Sequence, residues 1–156
     1  MRYTRLGTPL GALLAVADGG ALVRLAFDAA PPDGARRDDA GLTRVAEQVA
    51  AFFARELDAF SLELAPVGTP FQRRVWDALA EIPFGATTTY GALARRLGDA
   101  GAAQAVGAAN GANPLAIVVP CHRVVGAGGA LVGYAGGLGR KRALLDLERG
   151  QSVLFA

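Results

Sequence analysis

Cysteine, histidine, methionine, tryptophan and lysine each occur only once in the 156 residues, and two of these scarcities decide something at once. A lone Cys121 cannot form an intrachain disulfide. With His122 as the single imidazole there are too few soft ligands for a Cys/His zinc site, so no structural metal is expected. Long apolar runs are missing too: residues 115–119 form one of the longest, far short of the ~20 a membrane helix needs. Met1-Arg2-Tyr3-Thr4-Arg5-Leu6-Gly7 shows neither an apolar segment nor a small-residue cleavage site, so no secretory signal is read there and the expected location is cytoplasmic. What remains is globular composition, 52% hydrophobic and 19% charged, which excludes disorder, collagen and coiled coil and fits one domain or two small ones.

The net charge of +2 conceals an asymmetry about the Pro-containing stretch at residues 66–70. Residues 1–67 carry seven Arg against nine Asp/Glu, or −2. Residues 68–156 carry eight Arg and Lys141 against five Asp/Glu, or +4. That is the direction expected if only the second part meets a polyanion, although a solvated surface produces imbalances of the same size.

The apolar pattern predicts an α+β fold with an amino-terminal α/β domain over residues 1–67 and a mostly helical domain over residues 68–156. Residues 13–17 and 21–27 are apolar runs joined by Asp18-Gly19-Gly20, a hairpin signal. Polar residues 28–40 read as a surface loop. Leu42, Val45, Val49, Phe52, Phe53 and Leu57 recur at helical spacing, predicting a helix over residues 41–59. Residues 61–64 read as one more strand. Beyond Thr69, Phe71, Val75, Trp76 and Leu79 share a helix face that stops before Pro83-Phe84-Gly85. A short helix follows Thr87-Thr88-Thr89, with Leu93 and Leu97 inward and Arg95-Arg96 outward. Gly98 ends it. A third helix, residues 102–110, is made almost wholly of Ala, Gly and Val, and the pair has the outline of a helix-turn-helix.

Residues 115–119 read as a buried strand, with Cys121 and His122 just past its end. A thiol beside an imidazole and Arg123 is where a reactive thiolate is built, and the contact from His122 would run through a turn or a bridging water. In the final helix Glu148 lies four residues after Leu144, so it falls on the apolar stripe, and an inward carboxylate needs a partner. His122 is the only His available.

Pro120-Cys121-His122-Arg123-Val124-Val125, the later Gly133-Tyr134-Ala135-Gly136-Gly137-Leu138, the earlier Asn113-Pro114 and Ala105-Val106-Gly107 together resemble the O6-alkylguanine-DNA alkyltransferases, or methylated-DNA–protein-cysteine methyltransferases, over residues 69–148. The resemblance implies DNA repair by irreversible, stoichiometric transfer of an alkyl group from guanine O6 to Cys121, with O4 of thymine left open as a second substrate. His122 would take the thiol proton through a water, Glu148 would polarise His122, and Tyr90 would donate toward N3 of the base. Asn113 would hold the turn before the cysteine. Main-chain groups at Val124 and Ala135, with Tyr134 and Gly136, would shape the base pocket. Because O6 is stacked inside the duplex, the nucleotide must be flipped out. The third helix would enter the minor groove through Gln104, Ala105 and Gly107, with Arg95 and Arg123 also at the DNA. No cofactor is implied. The partner is double-stranded DNA carrying O6-alkylguanine, and no membrane is involved. The protein is expected to be a monomer, with cooperativity on DNA left open.

Gln104 departs from the family, which usually has Arg just before Ala-Val-Gly to fill the space a flipped base leaves. Two other readings compete. A non-catalytic relative that only flags alkylated DNA would lack the acceptor cysteine, and Cys121 is present. A thiol hydrolase would need an oxyanion loop and a distant His, and neither is seen.

Overall fold

The computed structural model describes residues 1–150, so the last six residues of the expected second domain lie outside the described residues. Strands β1 (Arg2–Thr8), β2 (Gly11–Asp18), β3 (Ala21–Phe27) and β4 (Arg36–Arg37) form one sheet in the order β3-β2-β1-β4, antiparallel except for the β1–β4 edge. The β2–β3 hairpin turns through Gly19 and Gly20, both at positive φ (59° and 88°), the conformation a two-residue I′ loop demands. Leu13, Leu14, Ala15 and Val16 are all buried, because β2 is covered on both faces. Strand β1 carries little sequence signal. Its inward residues are Thr4 and Leu6, and the Thr4 hydroxyl is satisfied by donating to Asp39 Oδ1 at 2.7 Å.

Helix α1 spans Thr43–Phe53, shorter than the predicted 41–59. Its amino end is a 3-10 turn, and its carboxy end is closed by Arg55 at φ 60°, so Leu57 falls beyond the helix. The expected strand at residues 61–64 reduces to one parallel bridge, Leu64 to Leu22. Helix α2 (Pro70–Ala80) begins with a capping box: the Thr69 hydroxyl accepts from Gln72 N while Gln72 Oε1 accepts from Thr69 N. After β5 (Thr88–Thr89) come α3 (Tyr90–Arg96), capped by Thr89, and α4 (Ala103–Gly111), with Gly98 at φ 86° between them. The helix pair has the expected outline. Trp76 Nε1 donates to the Ala109 carbonyl at 2.9 Å and ties α2 to α4.

Residues 115–119 are buried as expected but are not a strand. Only Leu115 pairs, bridging Leu25. The chain then folds into tight turns, with Val118 N on Ala116 O and Val119 N on Leu115 O, and Ile117 at φ 72°. A short apolar run carries burial but not backbone shape, which is why the pattern misled. The strained turn tucks Ile117 into the core at 1% exposure. Residues Cys121–Arg123 form a 3-10 turn, followed by β6 (Val124–Val125), parallel to β5, and α5 (Leu138–Glu148). One core cluster joins Leu13 and Leu25 of the sheet to Phe52, Trp76, Leu93, Leu115 and Leu144.

Candidate active site

The 3-10 turn at Cys121–Arg123 faces the last turn of α5, and three side chains meet there. His122 is fully buried and its Nε2 lies 2.7 Å from Glu148 Oε2. Arg123 donates Nε to Glu148 Oε1 at 2.8 Å and Nη2 to Oε2 at 2.9 Å, and its Nη1 donates to the Ile82 carbonyl at 2.7 Å. Burial, the largest influence on Glu148, raises its pKa, yet the bonds and charges of His122 and Arg123 outweigh it and bring the carboxyl to about 2. Glu148 is therefore ionised. Burial, opposed by Glu148, lowers the pKa of His122, which is neutral at pH 7. A neutral imidazole beside a carboxylate carries its proton on Nε2, so Nδ1 offers a lone pair, and Nδ1 is a buried atom with no hydrogen-bond partner among the described residues.

Cys121 is 7% exposed, and burial raises its thiol pKa; the Asn113 side chain and the Lys141 charge oppose this without reversing it. The resting sulfur is a thiol that needs a base. It lines a cavity of about 70 Å³ with Asn110, Asn113, Tyr134, Ala135 and Gly136, closed from the sheet side by Leu25 and Phe27. A larger cleft of about 580 Å³ beside the β2–β3 hairpin, lined by Arg2, Asp18, Arg44 and Ser61 among others, holds neither Cys nor His, and Ser61 is already hydrogen-bonded to Arg44 and Gln48. The smaller cavity is the one that Cys121 lines, and His122 follows it in the chain, buried behind the cavity against Glu148.

The predicted residues sort into three groups. Cys121, His122, Glu148, Asn113, Tyr134, Ala135 and Gly136 come together at this centre. Asn113 donates to the Val119 carbonyl at 2.8 Å and accepts from Leu115 N at 3.0 Å, fastening the turn before Cys121. Gly136 is required there, since a Cβ would meet the Tyr134 ring at 2.8 Å and Phe27 at 3.1 Å. Tyr90 stands nearby, but its hydroxyl donates to the Val132 carbonyl at 3.0 Å, a bond it must release to serve a base. Gln104, Ala105 and Arg95 are exposed on α4 and α3, and Gly107 is half-buried against Tyr90.

Two expectations need correction. Arg123 does not reach the DNA side: it is 6% exposed, with its guanidinium committed to Glu148 and Ile82. Val124 does not line the cavity. Its N–H bonds back to the Cys121 carbonyl, and its own carbonyl accepts from Lys141 Nζ with one lone pair still free.

Two residues were missed altogether. Lys141 is fully buried and donates to the carbonyls of Val124 (2.6 Å), Val132 (2.7 Å) and Gly133 (3.2 Å), pinning the wall that precedes Tyr134. As the single lysine, set in the first turn of a helix, where a cation is disfavoured, it was the available signal. Asn110, 3% exposed on α4, donates Nδ2 to the Cys121 carbonyl at 3.4 Å. Nothing in an Ala/Gly-rich helix marks an inward Asn except its polarity.

The chain's similarities bear on this geometry. The family model described as the 6-O-methylguanine DNA methyltransferase DNA-binding domain matches residues 70–150. The methylated-DNA–protein-cysteine methyltransferase of Mycobacterium tuberculosis is 45% identical over 156 residues, covering 97% of this chain and 94% of that one. Its namesake in Methanosarcina acetivorans is 44% identical over 153 residues, covering 95% and 98%. The crystal structure of Mycobacterium tuberculosis OGT in complex with DNA superposes with a TM-score of 0.94 at 44% identity, covering 99% of this chain and 97% of that one. With a buried imidazole–carboxylate pair next in the chain to a buried thiol, and relatives of this identity over nearly its whole length, the chain belongs to the methylated-DNA–protein-cysteine methyltransferase family.

Proposed function

We propose that the protein repairs DNA by moving an alkyl group from guanine O6 onto Cys121 in a single displacement. One observation carries this assignment: Glu148 fixes His122 through Nε2 and leaves Nδ1 as a buried acceptor, unpartnered among the described residues, on the residue next to a buried thiol. The thiol proton passes through a water to Nδ1, Sγ attacks the alkyl carbon, and the S–C bond forms as the C–O6 bond breaks. The electron pair leaves on guanine. Tyr90 neutralises it by donating toward N3, and the proton given up by the thiol makes good that loss. The thioether remains on the protein, which acts once. Asn113, Tyr134, Ala135 and Gly136 shape the pocket for a nucleotide flipped from the duplex, and the small-residue face of α4, with Gln104, Ala105 and Gly107, meets the minor groove, with Arg95 on the phosphates. The protein acts as a monomer in the cytoplasm, and sequence-independent binding suits a scanner of any DNA.

The test is intact-protein mass after incubation with duplex DNA containing O6-methylguanine, with peptide mapping. A gain of one methylene on the Cys121 peptide is expected. Cys121→Ser abolishes the gain and leaves gel-shift binding close to wild type, because a hydroxyl is a far poorer nucleophile at neutral pH. An unmodified Cys121 with intact binding would instead identify a module that flags damage.

A further inference from the structure

Ile117 holds a backbone conformation that its own side chain opposes. The Val118 N–H donates to the Ala116 carbonyl at 2.8 Å across Ile117, whose φ is 72°. That is the rare, strained form of the γ-turn, and a β-branched residue at positive φ is an outlier among side chains. Further on, the Cys121 N–H donates to the Val119 carbonyl at 2.8 Å across Pro120, at φ −82° and ψ 64°, the common and relaxed form of the same turn. The chain that delivers Cys121 is therefore two γ-turns in succession, tied together by the Val119 N–H on the Leu115 carbonyl at 2.9 Å. The coil answers a distance requirement. Ala116 is anchored to the sheet through its N–H on the Leu25 carbonyl at 2.9 Å, yet it lines the same cavity as Cys121. An extended chain from Ala116 to Cys121 would span about 17 Å and carry the thiol out of that cavity. The turns at Ile117 and Pro120 take up the length.

The Ile117 side chain is 1% exposed and belongs to the core cluster. Releasing the turn would swing that side chain out of the core, so its burial holds a strain that the local backbone would otherwise shed. Strained residues persist only where their surroundings over-determine them, and here the over-determined segment ends on the nucleophile. We propose that Ile117 is a positioning residue for alkyl transfer: its buried side chain imposes the left-handed turn, and the turn sets where Cys121 Sγ stands relative to the incoming alkyl carbon and to His122. This rests on the alkyl-transfer function proposed above. Ile117 does not line the cavity, and it acts through the main chain that leads to Cys121.

Two substitutions remove the branched side chain but differ in backbone. Ile117→Gly adopts positive φ freely, whereas Ile117→Ala keeps the steric penalty without a side chain able to hold the turn. Single-turnover transfer from duplex DNA containing O6-methylguanine is measured at saturating protein, with gel-shift affinities and denaturation midpoints alongside. Ile117→Ala should lose about a hundredfold in rate, the cost of a misplacement of about 1 Å, and Ile117→Gly should recover about tenfold of that loss. Ile117→Val, which keeps the branch and most of the anchor, should stay within about twofold of wild type. DNA affinity should be unchanged throughout, and the midpoint of Ile117→Gly should lie above that of Ile117→Ala, the reverse of their usual order. A folded Ile117→Ala protein that binds DNA and transfers as fast as Ile117→Gly overturns the inference and leaves Ile117 a core residue only. Should Ile117→Ala not fold, both variants are compared in trimethylamine oxide, which favours the compact state. Absence of methyl transfer to wild type would overturn instead the function on which the inference stands.

Discussion

Glu148 serves two neighbours with two oxygens, and this sets what its removal does. Replacing it with Ala strands the buried Arg123 guanidinium as well as freeing His122, so Glu148→Ala should cost about 3–5 kcal/mol of stability, against a smaller loss for His122→Ala. Chemical denaturation of the two variants checks this. At temperatures where all proteins are folded, the transfer rate of the His122→Ala, Glu148→Gln double variant should be close to that of His122→Ala alone, since a base and the group that orients it fail together. Additive losses in single-turnover rate would make Glu148 purely structural. The same pair sets the acid response. His122 is held below its ordinary 6.5 and Glu148 at about 2, below its ordinary 4.5, so in both cases the folded state binds fewer protons than the unfolded chain. Their stabilisation is complete above 6.5. It falls first as His122 protonates in the unfolded chain, then further from 4.5 down to about 2. Denaturation midpoints at pH 7, 6, 5 and 4 should decline for wild type, and His122→Phe should flatten the upper part of that decline.

At the scale of elements, α5 does more than deliver Glu148: through Lys141 it holds the loop that walls the cavity. Lys141→Met should remove about 1–3 kcal/mol of stability and slow transfer to duplex and to free O6-benzylguanine alike, because the wall and not the DNA face is disturbed. A rate lost on duplex alone would place Lys141's contribution at the DNA. For α4 the expectation is reversed. Flipping costs a few kcal/mol, and an inserted cation both fills the stack and gains from the groove's negative potential, whereas the exposed Gln104 brings no charge. Gln104→Arg should raise the duplex rate and leave the free-base rate unchanged. An unaltered duplex rate would place the wedge on another residue, such as Arg95 or Arg96. The helices were legible because their signals are local: the Thr69 cap, the α2 stripe and Gly98 each act within a turn or two. The β2–β3 hairpin was legible for the same reason. Strand β1, with two inward residues, and the coiled path of residues 115–119 were not, because distant partners set their shape. At the site, motif and stripe placed Cys121, His122 and Glu148 together. The Arg123, Lys141 and Asn110 side chains and the Val124 carbonyl depended on contacts from 8 to 41 positions away in sequence, which no spacing rule reports.

Across the whole molecule, the cavity is a joint construction. Phe27 at the end of β3 closes it, held by Arg140, whose guanidinium lies 4.3 Å from the Phe27 ring centre and also binds Asp28 and the Leu10 carbonyl. The charge is not shared in the same way, since the basic excess belongs to residues 68–156. DNA affinity should fall with salt at about −0.9 in log–log slope per phosphate neutralised, and Arg95→Glu should reduce the slope by about 1. Arg24→Glu, on the exposed face of β3, should leave it unchanged. Salt titrations of the three proteins decide this, and an equal effect of Arg24→Glu would extend the DNA footprint to the amino-terminal sheet.

The distance along the chain between His122 and Glu148 has a consequence in time. Twenty-six residues separate the imidazole from the carboxylate that orients it, and a ribosome adding about 5–20 residues per second needs about one to five seconds to make that span. Until α5 has been made and has docked, His122 has no carboxylate to orient it, and on the chemistry proposed above the thiol has no aligned base. A reagent that can be used only once is thus assembled unarmed, and folding itself is the step that arms it.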